Sequence, residues 1–600
     1  MPTLLTTLLC LIAADAERPN VLLILTDDQG WGDLSLHDAP GGLQTPHIDS
    51  IARDGARFDR FYVSPVCAPT RASLLTGRLH WRTGTHGVTR GREHMRSSEV
   101  TIAEVLGESG YQTGCFGKWH NGAAYPLDPV GQGFDRFVGF CAGHWNNYFD
   151  TTLRFADRLP TGQVRQQDRS TDGYITDVLT DEAIAFIEGA SGPFLCYVPY
   201  NAPHWPAQVP DEYYDRFAGD PDLDAKQKAA YAMVANIDDN VGRLLATLDD
   251  CGQRENTIVV FITDNGANSN RWDGDMRGSK GAVYEGGVRV PCFVRYPARI
   301  APGTVVEPLG QHVDVLATLA AFCGVSIDDE LAKTLDGVDL TRVLTDGESV
   351  SNPHPIISAR LPSGAELDRA KGAVLDPTTR MKAVKHGDRW ELFDIKADPS
   401  ETRDLATEQL ATLEPLQTIW NDYVASVPTL SSPVPIPVGL PQLPTVRLQG
   451  HEAFLHGVDG SEGRKAMGRG IAYHGPAGWA NDWIDHWSAV GAYPYWTIDV
   501  ATAGRYRLKL KYRQPPQEIG STIEVVAGDS TVEATLDHAI WTAAIDSPDR
   551  FQRSETYEQQ WGQQSLGTIE LSDGPQRIEL RRSTAAPIQI LHLELHRVDD

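Results

Sequence analysis

Two stretches of the chain share one pattern, an unbroken apolar run of strand length that stops at an acidic pair. Val21-Leu22-Leu23-Ile24-Leu25-Thr26 ends in Asp27-Asp28, and Ile258-Val259-Val260-Phe261-Ile262-Thr263 ends in Asp264-Asn265-Gly266. Runs of this kind suit strands of a parallel sheet covered on both faces. Helical patterns fall between them, from Thr101 to Ser109, Thr176 to Glu188 and Lys226 to Leu248, and Asp314 to Cys323 predicts another helix capped by Gly324. The alternation predicts an α/β domain over 17–350, a doubly wound mixed or parallel sheet whose ligands collect beyond the carboxyl ends of the strands. Both acidic pairs then share one rim.

The period changes further on. From about Met381 short strands and turns predict a small α+β subdomain over 351–426, and the Pro- and Ser-studded segment that follows predicts an extended linker over 427–446. Beyond it the pattern alternates: Tyr506, Leu508, Leu510 and Tyr512 are separated by basic residues, and I-Q-I-L-H-L-E-L-H-R-V near the end does the same. This predicts an antiparallel β-sandwich over 447–600. Trp479, Trp483 and Trp487 recur every four residues, the spacing of a core-facing helical stripe first and a carbohydrate platform second.

Composition narrows the function. A chain of 600 residues exceeds what one core supports. Its net charge of -27 argues against nucleic acid or an anionic lipid surface as the main partner. A small anion is still compatible, because a local cationic pocket is screened from distant charge. The first 16 residues, an apolar run ending in Ala14-Asp15-Ala16, read as a signal peptide and predict a periplasmic or secreted protein. No later run approaches a membrane span. The cysteines at 67, 115, 141, 196, 251, 292 and 323 show no zinc spacing; disulfides are possible but unassigned, and most read as small core residues.

Asp27, Asp28, Asp264 and Asn265 on one rim form the oxygen-rich ligand set of calcium or magnesium rather than zinc, although any one of them alone would more often cap a helix. Around them stand Arg71, Lys118, His120, His204 and Lys280. Fixed positive charge together with groups that move protons suits a tetrahedral oxyanion.

Cys67-Ala68-Pro69-Thr70-Arg71, followed by T-G-R at 76–78, resembles the C-x-P-x-R modification signature of the type I sulfatases. T-P-H-I-D-S-I-A at Thr45, G-K-W-H at Gly117, D-N-G at Asp264 and E-G-G-V-R-V-P at Glu285 match that family in order, over about Arg18 to Ala406. The segment His37-Asp38-Ala39-Pro40 and Val66 depart from the family pattern without touching a proposed ligand. The resemblance implies an alkaline-phosphatase-type fold and conversion of Cys67 by a maturase to formylglycine, whose hydrate is the nucleophile. It implies metal ligation by Asp27, Asp28, Asp264, Asn265 and modified Cys67. Arg71 and Lys118 would hold the hydrate, Lys118, His204 and Lys280 the sulfate oxygens, with His204 or Lys280 as acid and His120 as base.

The loop Gly143-His144-Trp145-Asn146-Asn147-Tyr148 offers His144 as a substrate contact, or simply packs its own aromatics. The terminal domain is similar, at fold level only, to galactose-binding-like sandwiches of carbohydrate enzymes. The expected function is removal of sulfate from a small sulfated substrate, a saccharide first. A phosphonate or phosphate diester hydrolase of the same superfamily, and a non-catalytic carbohydrate-binding protein, are the rival readings.

Overall fold

The computed structural model describes residues 18–348, 353–362, 367–428, 434–463, 469–475, 482–553, 555–584 and 587–598. The signal-peptide segment and Trp479 lie outside them. The main sheet has ten strands among the described residues. Its centre is parallel: Thr257–Thr263, Asn20–Thr26, Phe194–Pro199, Gln112–Lys118 and Arg136–Phe140 lie side by side in that order. Antiparallel strands close both flanks, Cys292–Arg295 beyond Thr257–Thr263 and Thr152–Arg158 beyond Arg136–Phe140. The sheet is therefore mixed.

Successive residues of Asn20–Thr26 feed two cores. Val21, Leu23 and Leu25 enter one, Leu22 and Ile24 the other, which is why this run carries no polar alternation. Helices Pro46–Arg53, Ile175–Gly189 and Ala225–Asp250 contribute to one core, and Cys67–Thr76, Ile102–Glu108 and Asp314–Phe322 to the other. The helix from Ile102 starts on a capping box in which Thr101 and Glu104 each satisfy the other's backbone N–H.

A four-stranded antiparallel sheet from Ile356–Arg360 to Arg389–Asp394 follows, with helix Leu410–Ser426 packed on it. Its Lys382 bridges Glu401 and the main domain's Glu285 at 2.9 and 2.8 Å, a buried ion triad that ties the two units together. After residue 434 the chain forms two sheets that bury one core, including Trp496, Ile498, Leu508, Leu510, Leu593 and Leu595.

The stretch read as a linker carries strand Ile436–Val438, and strand Thr445–Gln449 begins within it. The first pairs in parallel with Tyr493–Val500, so these sheets are not wholly antiparallel; Ile436 and Val438 are drawn in because both bury in the shared core. The helical stripe expected through Trp483 and Trp487 is not formed. Ile484 pairs with Tyr473 and Ile590, which holds the backbone extended, and Trp487 is tied instead by its Nε1, which donates to the carbonyl of Ala492 at 2.7 Å.

Candidate active site

The two acidic pairs leave the sheet together because Thr26 and Thr263 are partners in register on neighbouring parallel strands. Asp28 N–H donates to Asp264 Oδ1 at 3.1 Å, and Asn265 Nδ2 donates to Asp28 Oδ1 at 2.8 Å. All four rim residues are fully buried. Asp28 adopts the left-handed region, with φ of 66°, a strained choice for a residue with a side chain. Gly266, which closes the D-N-G turn, lies so close to the Gly286 carbonyl that a Cβ would overlap it, so D-N-G and E-G-G pack as one unit.

Cys67 is the first residue of the wholly buried helix Cys67–Thr76, where the unpaired N–H groups and the dipole favour negative charge. Ligand atoms of Asp27, Cys67 and Asp264 lie within 4.8 Å of one another, as do those of Asp27, Asp28 and His204. Asp27 Oδ1 and Asn265 Oδ1 are buried without a hydrogen-bonding partner. Three buried carboxylates with two orphaned oxygens are a fitting donor set for a hard divalent cation.

The charges show the same strain. Burial, opposed by Lys118 and reinforced by Asp28, raises the Asp27 carboxyl to about 6. Burial and Asp27 likewise push Asp264 up to about 6 against the pull of Arg71. Burial acts on Asp28 too, but Lys280, His204 and Lys118 overcome it and hold that carboxyl well below its ordinary range.

Lys118 ends a central strand and its Nζ pairs with Asp27 Oδ2. The preceding Gly117 packs against the Pro199 carbonyl, where any side chain would collide. His120, at φ 67°, brings Nε2 to 2.7 Å from the Val88 carbonyl. A carbonyl only accepts, so Nε2 carries the proton. Nδ1 keeps its lone pair, buried and without a partner. Burial and Lys118 hold this imidazole well below its ordinary pKa.

His204 sits on the loop after strand Phe194–Pro199, with Nδ1 bonded to the Trp205 carbonyl at 2.7 Å and Nε2 3.6 Å from Asp28 Oδ2. Burial and Lys280 lower it to about 3. Lys280 Nζ lies 2.6 Å from Asp28 Oδ1, and that carboxylate outweighs burial to raise the ammonium well above its usual value. His204 and Lys280 are the partly exposed members, so they mark the mouth of the pocket. His144 is stacked parallel to His204 at 6.0 Å; burial, His204, Lys118 and Arg553 keep it neutral. The structure thus gathers every residue predicted for the site.

Sequence reasoning passed over three contributors. Asn121 donates to the carbonyls of Ala68 and Glu93 at 3.1 and 3.3 Å, holding the residue beside Cys67; its place directly after G-K-W-H was an available signal. Arg271 gives Nη2 to the Asp28 carbonyl at 2.6 Å. The third comes from the terminal domain: Arg553 donates to the Asn146 carbonyl at 2.7 Å, and Gln208 donates to Asp549 at 2.8 Å. Residues 547–553 thereby clasp the loops that carry His144 and His204, which no local pattern announces.

Comparison with known proteins bears on this geometry. The Sulfatase family model matches residues 19–325, and the model for the C-terminal region of N-sulphoglucosamine sulphohydrolase matches residues 278–419. The N-acetylgalactosamine-6-sulfatase of Canis lupus familiaris is 32% identical over 374 residues, covering 57% of this chain and 69% of that protein. Human arylsulfatase A is 33% identical over 360 residues, covering 55% and 68%. Among solved structures, Ps i-CgsB in complex with k-i-k-neocarrahexaose superposes with a TM-score of 0.62 at 28% identity, over 69% of this chain and 94% of that one.

Proposed function

The chain belongs to the sulfatase family and is a sulfuric ester hydrolase; from that premise we propose that it desulfates a sulfated carbohydrate, using formylglycine made from Cys67 and a divalent cation, calcium or magnesium. The observation that carries this reading is the buried group Asp27, Cys67 and Asp264, with ligand atoms within 4.8 Å, ringed by Lys118, His204 and Lys280. Asp27, Asp28, Asp264 and Asn265 would hold the cation, which lowers the pKa of the attacking hydroxyl. Formylglycine supplies a geminal diol, in which one hydroxyl attacks sulfur and the other, on deprotonation, lets sulfate leave and the aldehyde return.

The residues divide the remaining work by charge and tautomer. Lys118 and Lys280 bind non-bridging sulfate oxygens and stabilise charge that builds there, and His204, whose Nδ1 proton is committed to the Trp205 carbonyl, joins them through Nε2 once that nitrogen is protonated. His120 Nδ1, with its lone pair free, accepts the proton of the second hydroxyl. The departing alkoxide takes its proton from Lys280 or His204. Before substrate binds, Lys280 is the one protonated at neutral pH, since His204 is held to about 3. Arg71 engages Asp264 and the Lys118 carbonyl, so it positions the groups on either side of Cys67.

Two matched proteins carry names that refer to sugars, an N-acetylgalactosamine 6-sulfatase and a protein complexed with neocarrahexaose, which supports a saccharide substrate here. The N-terminal Ala-x-Ala pattern supports export, and the C-x-P-x-R segment a formylglycine-generating maturase as partner. The test is expression with such a maturase, peptide mass analysis at Cys67 and assay with p-nitrophenyl sulfate beside phosphate mono- and diesters. Converted Cys67 with sulfate ester preferred is expected, and Cys67→Ser should retain a trace of activity at most. Full activity from the Cys67→Ser protein, shown by mass to carry unmodified serine there, would refute the mechanism; preference for a diester would favour the rival hydrolase.

A further inference from the structure

A cavity of about 290 Å³ lies between the catalytic domain and the terminal sheets, lined by Trp145, Glu93 and strand residues of the former and by Trp483, Trp561, Glu452 and Lys511 of the latter. None of Cys67, Lys118, His204 or Lys280 lines it, but Trp145 and Asn146, directly after His144, and Gly122 and Ala123, shortly after His120, do, so it lies beside the sulfate pocket and not within it. Its wall includes Cys141, whose carbonyl accepts from the His120 N–H at 3.2 Å, and Glu93 acts electrostatically on the His120 imidazole.

The lining is built rather than incidental. Trp483 is held between His474, stacked at 4.2 Å, and Trp561, edge-on at 5.4 Å, and Trp145 is stacked on Phe140 at 5.1 Å. Several polar groups there are unsatisfied. Trp483 Nε1 is a buried donor without an acceptor, and Oε2 of Glu93 and Oε2 of Glu452 are buried acceptors without a donor. The Lys511 ammonium makes no hydrogen bond or ion pair with any described residue, and burial together with neighbouring Arg447 pulls its pKa below the usual value.

Indole rings interleaved with amide, carboxylate and ammonium side chains, among them Gln449, Gln559, Glu558 and Lys511, restrict what can fill it. One carboxylate oxygen each of Glu93 and Glu452 and a nitrogen of His94 come within 4.8 Å of one another, but a cation there would satisfy acceptors alone. A simple anion would satisfy donors alone, and an apolar ligand neither. Water satisfies both, and so does a sugar ring, whose hydroxyls donate and accept; the sugar alone also packs a C–H face on indole. The volume, at the small end of ligand pockets, suits one such unit.

Resting on the saccharide reading above, we infer that this interdomain cavity is a subsite for a second sugar unit of the substrate. The enzyme therefore prefers an oligosaccharide to a monosaccharide sulfate, and the terminal domain supplies half of that recognition.

The experiment compares kcat/KM for N-acetylgalactosamine 6-sulfate with a chondroitin 6-sulfate tetrasaccharide, and for galactose 4-sulfate with neocarrahexaose, with p-nitrophenyl sulfate as a length-independent reference. In at least one pair the longer substrate should lead by about tenfold or more, the yield of one well-placed set of charged hydrogen bonds. That lead should collapse in Trp561→Ala and in Lys511→Met, the second variant guarding against misfolding of the first; circular dichroism confirms the fold of each. Turnover of saccharides with no length preference, or a preference that survives both variants, overturns the subsite alone. Turnover of the aryl sulfate with no saccharide accepted overturns the carbohydrate reading itself, and the subsite with it.

Discussion

Arg71 donates both Nε and Nη2 to a single oxygen of Asp264, Oδ2, at 3.2 and 2.8 Å, and its remaining nitrogen to the Lys118 carbonyl at 2.7 Å. Because Arg71 lies one helical turn from Cys67, this fork fixes the Cys67 helix against both the acidic rim and the Lys118 strand. Lysine cannot reproduce it. Arg71→Lys should keep the charge yet lose the planar fork, lowering kcat by about a hundredfold or more, a typical loss when an active-site group is displaced by about an ångström. Arg71→Met should cost about 3–5 kcal/mol in urea unfolding, since a buried carboxylate is left unpaired. Wild-type stability in Arg71→Met would show that Asp264 is neutral or otherwise compensated.

Removal of the proposed cation should expose the repulsion among the rim carboxylates. Asp27 and Asp264 are both held up at about 6, so at neutral pH each ionised carboxylate opposes folding unless a cation shares its charge. Chelated protein should melt earlier, and calcium or magnesium at a hundred times its Kd should restore about 2.7 kcal/mol. Asp264→Ala should abolish activity and lower the bound metal below one equivalent. An active enzyme free of metal by elemental analysis would contradict the assignment.

How far the chain disclosed all this depends on the range of the interaction. Strands with both faces covered announce themselves, and Val21–Leu25 and Ile258–Ile262 placed the acidic rim without help from any distant residue. Arg71 and His120 were visible because each lies within a few residues of a recognisable segment. Their partners were not, since the Val88 carbonyl and the Asp264 fork exist only after the sheet assembles. Trp483 and Trp487 misled because an i, i+4 spacing says nothing about strand pairing to Ile590. The clasp between Gln208 and Asp549 joins residues 341 positions apart, a property of domain docking and not of local sequence.

His354 supplies a pH-linked element away from the site. Its Nε2 lies 2.7 Å from Asp314 Oδ1 at the start of helix Asp314–Phe322. Burial disfavours the imidazolium, but Asp314 outweighs it and raises the pKa above 6.5. A pKa raised on folding contributes stability fully below 6.5, and that contribution is lost as pH climbs through the folded value. The urea midpoint of the wild type should therefore fall between about pH 6 and 8 more than that of His354→Gln. Parallel pH profiles for the two would show the pair to be inert.

Gln208 is the position at which the terminal domain should be felt in catalysis. Fully buried, it accepts from Tyr148 N–H at 2.6 Å on the loop that carries His144, lies four residues after His204, and donates through Nε2 to Asp549 and Ser547. It touches no proposed substrate atom, so it is a positioning residue. Gln208→Glu keeps the shape and the acceptor toward Tyr148 but replaces the donor with a second carboxylate facing Asp549. At about pH 8 the two charges repel, the clasp opens, and His204 loses its support; kcat should drop by about tenfold with KM for p-nitrophenyl sulfate changed less. As pH falls toward about 5, one proton shared between the introduced carboxylate and Asp549 remakes the hydrogen bond. Activity of Gln208→Glu relative to wild type at each pH should therefore rise on acidification, whereas Gln208→Ala, with no proton to gain, should stay equally impaired throughout. A constant ratio in both variants, with the terminal domain still folded by near-UV circular dichroism, would mean that the His204 loop holds its place without the clasp.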